Sequence, residues 1–325
     1  MRTLELHQLA VMAYLHYREE WTQDDIARHM GMSRFKIMRG LREARERGII
    51  RFEIDASLLS LASLEVELGR AFGLDSVVVV AAPSPTEALD CVAAAGAEYL
   101  ENNIQSGAVV GVSWGPTVRV AASLLRKQAG KSITVVELMG GVNSSATNHA
   151  AALDLARAYD SERRCYLLEC PAIVRNRDLR DSLLAEHPLR AAMEVTRAAD
   201  VALFSTSDLE LALRLLEAGY ITSDDLADLR RAGAVGNLYG RFLDAEGQEC
   251  DTSIRERTLG LSLDEIRSIA RKICITCGTD KLEPVSAALR GGLINVLITD
   301  EATATALLAR RELDNHTRAG DGRQA

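Results

Sequence analysis

Cysteine and lysine are both scarce in these 325 residues, and each scarcity excludes something. Six cysteines, at 91, 165, 170, 250, 274 and 277, do not make a disulfide framework in a chain this long. Only Cys274 and Cys277 fall at C-x-x-C spacing, and neither a second pair nor a nearby histidine completes a zinc set. The expectation is therefore buried strand cysteines, no metal and no resident cofactor. The N-terminus lacks a secretory leader, and no apolar run approaches the roughly 20 residues that span a bilayer. A cytoplasmic protein with no membrane partner is expected, in which the sequon at Asn143 carries no glycan. Internal repeats and low-complexity blocks are absent as well. Lysine occurs only at 36, 127, 131, 272 and 281, while arginine supplies the other 33 basic side chains.

What the chain does have is an uneven charge. The net formal charge is −8, yet residues 1–52 carry ten basic and seven acidic side chains, leaving 28 basic and 39 acidic for the remainder. Such a balance fits a small polyanion-binding module joined to an acidic domain with other business. The basic part reads, from Trp21 to Ile50, as a helix-turn-helix. Gln23–Met30 carries Ile26, Ala27 and Met30 on one face, Gly31 supplies the turn, and Ser33 caps a second helix that presents Ile37 and Leu41 inward. The outward side carries Arg34, Lys36, Arg39 and Arg42. The candidate DNA contacts are Thr22, Gln23, Ser33, Arg34, Lys36, Ile37, Arg39 and Arg42, with a surface helical hairpin as the alternative.

Along the chain, a first helix over 4–20 (Leu6, Leu9, Ala10 and Tyr14 on one face) supports the module, and Arg51–Ile54 reads as a short closing strand of the winged type. Residues 55–72 form an amphipathic connecting helix, either a subunit interface or a helix packed on the next domain. From 73 to 314 apolar strands alternate with helices: Val77–Ala81, Ala108–Val112, Ile133–Leu138, Cys165–Leu168, Val201–Phe204, Lys272–Thr276 and Asn295–Thr299. The helical segments lie at Glu87–Ile104, Thr117–Arg126, His149–Tyr159, Leu209–Ala218, Leu282–Leu289 and Ala302–Arg311. Val/Ile runs of this kind predict a parallel, doubly covered, Rossmann-like α/β sheet whose ligands sit at the carboxyl ends of strands. Residues 315–325 are expected to fray.

Four strand exits therefore hold the candidate ligand residues. Gly111-Val112-Ser113-Trp114-Gly115-Pro116-Thr117 is a glycine-bearing turn into a helix whose first amides suit a phosphate, or is simply a tight turn. Gly140 and Gly141, followed by Asn143, Ser144 and Ser145, offer donors and acceptors to sugar hydroxyls, or cap the next helix. Asp244, in the stretch Gly236–Gly247, is a carboxylate for a polyol or part of a hairpin turn. Gly278 and Lys281 follow another strand. Lys281 is a point charge for phosphate; a Schiff base would need a lowered lysine pKa.

These loops, behind this helix-turn-helix, resemble the SorC family of bacterial sugar-sensing transcriptional regulators. Thr22-Gln23, Ile26-Ala27, Ser33-Arg34, Ala44-Arg45 and Gly48-Ile49 match its N-terminal signature. The GVSWGPT loop, Gly140-Gly141, Gly233–Gly247 and Leu289–Ala304 match its effector domain. The resemblance covers nearly the whole chain. It implies a phosphosugar isomerase-like effector domain, a dimer or tetramer, and a double-stranded DNA operator released or repositioned when a sugar phosphate binds. It places the ligand at Gly111, Ser113, Gly115, Thr117, Gly140, Gly141, Asp244 and Lys281; Trp114, Asn143 and Gly278 lie in the same loops. Two departures bear on the ligand: Ser205-Thr206-Ser207 where Gly-Ile-Gly is usual, and Cys277-Gly278 where Gly-Gly is usual. The recognition helix also departs, at Lys36 and Met38-Arg39-Gly40.

Two other functions compete with a phosphosugar-responsive regulator. One is the same regulator sensing an unphosphorylated sugar or polyol. The other is a sugar-phosphate isomerase- or aldolase-like enzyme, for which Asp244 with Lys281 is the sole acid–base pair in view. Glu137 and His149 show no partner in the sequence.

Overall fold

The computed structural model describes residues 5–53, 56–142 and 149–321, with side chains described outside 54–58 and 314–325. The chain divides into two compact units, Met1–Leu59 and Ser60–Ala325.

The first unit is three helices: α1 (Leu6–Tyr17), α2 (Gln23–Met30) and α3 (Arg34–Glu46). Thr22 caps α2 by accepting from the Asp25 amide, and Ser33 caps α3 by accepting from the Lys36 amide at 3.3 Å. Between them Gly31 adopts φ 63°, the left-handed conformation that ends α2 and turns the chain. Leu9, Met12, Ile26, Ala27, Ile37, Leu41 and Ala44 form the core. The buried face of α1 is thus Leu9, Met12 and Ala13, rotated from the expected one; Leu6 and Tyr14 are exposed. Residues Arg51–Glu53 form no strand, so the expected wing is missing there, and Ile54 lies outside the described residues.

The second unit opens with the larger part of α4 (Ala56–Phe72), whose Leu68 is fully buried and whose Leu61 and Leu64 pack on the core of the sheet. That apolar face is therefore used within the domain. Among the described residues nine strands follow: β1 (Ser76–Val80), β2 (Val109–Val112), β3 (Thr134–Glu137), β4 (Cys165–Tyr166), β5 (Val201–Phe204), β6 (Gly236–Leu238), β7 (Arg241–Leu243), β8 (Arg271–Ile275) and β9 (Val296–Asp300). Seven of them make one parallel sheet in the order β1-β9-β8-β5-β2-β3-β4, while β6 and β7 form an antiparallel hairpin. Every strand expected from the apolar runs is present.

Strand alternation sends successive side chains to opposite faces, so each strand feeds two cores. Ala202, Phe204, Cys274 and Leu297 belong to one, and Val201, Leu203, Ile273, Ile275, Val296 and Ile298 to the other. The second core is roofed by α5 (Ala88–Asn103), α6 (Pro116–Ser123) and α7 (Ala150–Ala158). The first lies under α4, α9 (His187–Arg197), α10 (Glu210–Glu217), α11 (Ser223–Arg231), α13 (Leu263–Ser268), α14 (Leu282–Arg290) and α15 (Glu301–Asp321). The remaining helices are α8 (Arg177–Ala185) and the short α12 (Ser253–Arg257). Backbone helix persists to Asp321, where fraying was expected from residue 315. Among the described residues no helix is long and apolar enough to cross a membrane, and no cluster of metal-ligating side chains occurs.

Candidate functional site

The strand order reverses between β2 and β5: from β2 the chain proceeds outward through β3 and β4, and from β5 it proceeds the other way through β8 and β9. Ligands in open parallel sheets bind beyond the carboxyl ends at such a reversal, where the connecting helices leave on opposite faces and open a crevice. At this reversal stand the β2 exit (Ser113–Thr117) and the β5 exit (Ser205–Asp208). A side chain at Gly115 would come within 3.9 Å of Ser205 Cβ, so the two loops face each other closely. Pro116 opens α6, and no side chain caps its start, which leaves the amides of its first turn directed at this end of the sheet. Ser113 and Thr117 are buried there.

The β8 exit adjoins the β5 exit. Thr206 Oγ1 lies 3.4 Å from Thr276 Oγ1, and Lys281 Nζ lies 3.3 Å from Asp208 and 2.6 Å from Asp280. Burial alone would lower the Lys281 ammonium, but the carboxylates of Asp280 and Asp208 outweigh it and hold the group above the ordinary lysine value. Lys281 is accordingly a fixed cation, and the lowered pKa that a Schiff-base lysine requires is not found. Gly278 gives its amide to Asp300 Oδ1 at 3.1 Å. Burial pushes the Cys277 thiol up to about 11 and the Cys274 thiol higher, so neither offers a thiolate.

Several expected ligand residues serve the fold instead. Gly111 sits inside β2, where a side chain would overlap Leu138. Gly140 donates its amide to Leu259 O at 3.1 Å and Gly141 to Cys170 O at 2.9 Å, so these amides are already spent within the protein. Asn143 lies outside the described residues. Asp244 holds its own turn: Oδ1 accepts from the amides of Glu246 at 3.0 Å and Gln248 at 2.8 Å. That turn rests on the C-terminal end of α14, where Arg290 donates to Ala245 O at 2.6 Å. Lys281 precedes the first residue of α14, nine residues or about 13 Å of helix away. Asp244 and Lys281 do not form a pair.

Sequence reasoning missed Asn237 at this end. Asn237 is paired through its backbone with Ser207 in the β5 exit, N to O at 2.7 Å and 3.1 Å. Its side-chain oxygen accepts from the Gly240 amide, while its Nδ2 is buried and donates to nothing among the described residues; Trp114 Nε1 in the β2 exit is in the same condition. Buried donors without acceptors carry a desolvation penalty that an oxygen-rich ligand relieves. At the end of β3, Glu137 and His149 prove to be each other's partners at 2.7 Å, and Glu137 also accepts from the Leu168 amide. Burial pushes the Glu137 carboxyl above its usual value, against the pull of those two donors. An apolar cavity of about 570 Å³ opens beside Gly278, lined by Pro83, Pro85, Ala302, Ala306 and Ala309. A polar one of about 950 Å³, among Arg177, Arg241, Glu249, Arg255 and Arg267, includes none of the expected ligand residues.

Over residues 57–309 the chain matches Sugar-bind, a sugar-binding domain family. It is 31% identical over 310 residues to the deoxyribonucleoside regulator of Bacillus subtilis (strain 168), covering 94% of this chain and 98% of that protein. It is 30% identical over 308 residues to the transcriptional regulator LsrR of Enterobacter sp. (strain 638), covering 93% and 92%. The full-length sorbitol operon regulator SorC from Klebsiella pneumoniae superposes with a TM-score of 0.72 at 26% identity, covering 93% of this chain and 99% of that one. The chain belongs to the SorC family of sugar-binding transcriptional regulators.

The relatives are transcriptional regulators rather than enzymes. In this SorC-family chain Thr22, Ser33, Arg34, Lys36 and Arg42 are exposed and Gln23 and Arg39 half-exposed. Thr22 and Ser33 are also committed to capping. Ile37 must be withdrawn from the DNA contacts: it is fully buried in the three-helix core.

Proposed function

We propose that the protein is a homo-oligomeric regulator, a dimer or tetramer, that binds a double-stranded DNA operator through α2 and α3. Its DNA affinity is set by a phosphorylated sugar held among the exits of β2, β5 and β8. The observation that carries this reading is the convergence of Lys281, the start of α6 and two buried donors without a partner among the described residues, at the reversal of strand order. The uncapped amides suit a phosphate, Lys281 supplies a cation, and Asn237 and Trp114 suit sugar oxygens. Effector binding alters DNA affinity only through its differential affinity for two conformations, a coupling of about 1–3 kcal/mol.

A free polyol or sugar is the second reading, favoured by one feature: Lys281 already has two carboxylates beside it, and Asp208 is a natural acceptor for hydroxyls. A thermal-shift series over matched phosphorylated and free pentoses, hexoses and polyols decides between them. Phosphorylated compounds should raise the melting temperature at concentrations where their free counterparts do not. Stabilisation by free polyols alone would overturn the phosphate assignment. The stabilising compound should also shift the band-shift midpoint on operator DNA about 5- to 150-fold, the range of such couplings.

A further inference from the structure

The DNA-facing side of α3 is led by an aromatic ring rather than by a basic side chain. With roughly 100° of rotation per residue, the buried Ile37, Gly40, Leu41 and Ala44 define one side of the helix. The opposite side is then the line Phe35, Arg39 and Arg42, whereas Arg34 and Lys36 point to either flank. Phe35 is 69% exposed, in the first turn of a helix whose N-terminal end is the part that enters the major groove in helix-turn-helix proteins. The helical core beneath is complete without it. An exposed phenyl ring with Arg34, Lys36 and Arg39 within about one turn of it, and Arg42 further along the same side, is complementary to a surface that is anionic at its walls and apolar at points on its floor. The major groove is such a surface, because thymine alone among the bases displays a 5-methyl group there.

We infer that Phe35 reads thymine by packing on its 5-methyl group, with Arg39 and Arg42 facing the neighbouring base edges and Arg34 and Lys36 the phosphate walls. The inference rests on the proposal that α2 and α3 bind DNA, and the experiment separates the two. Full-length protein selects its site from a library of random duplexes, and affinity is then measured with deoxyuridine replacing each thymine in turn, which removes only the methyl group. Wild type should lose about three- to fivefold at one thymine per half-site, the worth of one buried methyl. Phe35→Ala should bind the thymine and deoxyuridine duplexes alike, and Phe35→Leu should keep the preference. A thymine preference retained in Phe35→Ala, or absent from wild type, overturns the inference while leaving DNA binding intact. So does a Phe35→Ala defect confined to the oligomeric state. Failure to select any duplex overturns DNA binding itself.

Discussion

Gly247→Ala is expected to destabilise the effector domain by about 2–4 kcal/mol, with a fall in melting temperature on the order of 5–15 °C. Gly247 has φ 75°, and a side chain there would meet the carbonyl oxygen of Ala287 and lie 2.6 Å from the amide nitrogen of Gly291. Both are backbone atoms at the end of a buried helix, so neither yields cheaply. The left-handed conformation adds roughly 1–2 kcal/mol for any residue with a Cβ. Gly292→Ala is the internal control, since Gly292 has φ 67° but open space around it. The control should cost only the conformational part. Equal melting temperatures for the two variants would show that the turn does not sit on α14 as described.

The same turn bears on the two readings that the sequence leaves open for Asp244. Asp-Ala-Glu-Gly carries both a carboxylate that looks available and the turn signal that consumes it; only the two amides on Asp244 Oδ1 decide the matter. Backbone approach was equally invisible at Gly140 and Gly141, whose amides are taken by Leu259 and Cys170, residues 119 and 29 positions further along. The strands, by contrast, were legible because Val, Ile and Leu runs buried on both faces have few other uses. Helices α8, α9, α11, α12 and α13 were passed over because their apolar content is low. Their boundaries were nevertheless written in the chain. Thr222 with Asp225 and Ser262 with Glu265 are capping boxes, and Asn176 caps α8.

What no local pattern reveals is convergence. Lys281 and Asp208 are 73 positions apart and Thr206 and Thr276 are 70, so no spacing in the chain announces that they meet. They meet because β5 and β8 are neighbours in register, Phe204 beside Cys274, and both strands end at the same level. Glu137 and His149 were likewise visible separately and meaningful only as a pair. The DNA side was more legible, since helix capping, turn and inward face lie within 25 residues. Even so, counting Ile37 on both the inward face and the DNA face was a contradiction that the structure resolves in favour of the core.

The decisive functional prediction opposes two neighbours. Lys281→Met should weaken a phosphorylated effector on the order of 100-fold, because a phosphate at the crevice loses the nearest cation and meets Asp208 and Asp280 unneutralised. Asp208→Asn should do the reverse, tightening the same effector a few-fold, because one carboxylate no longer competes for the Lys281 ammonium. Neither change touches α2 or α3, so affinity for operator DNA without effector should stay at the wild-type value. For an uncharged polyol the signs change: Lys281→Met becomes nearly silent and Asp208→Asn weakens binding through a lost hydroxyl acceptor. Isothermal titration of both variants with the stabilising compound and its dephosphorylated counterpart reads all four outcomes. Parallel losses in both variants would mean that the ion pair merely holds the β5 and β8 exits together. The contact between strand exits would then be structural, and the effector would have to be placed nearer the start of α6.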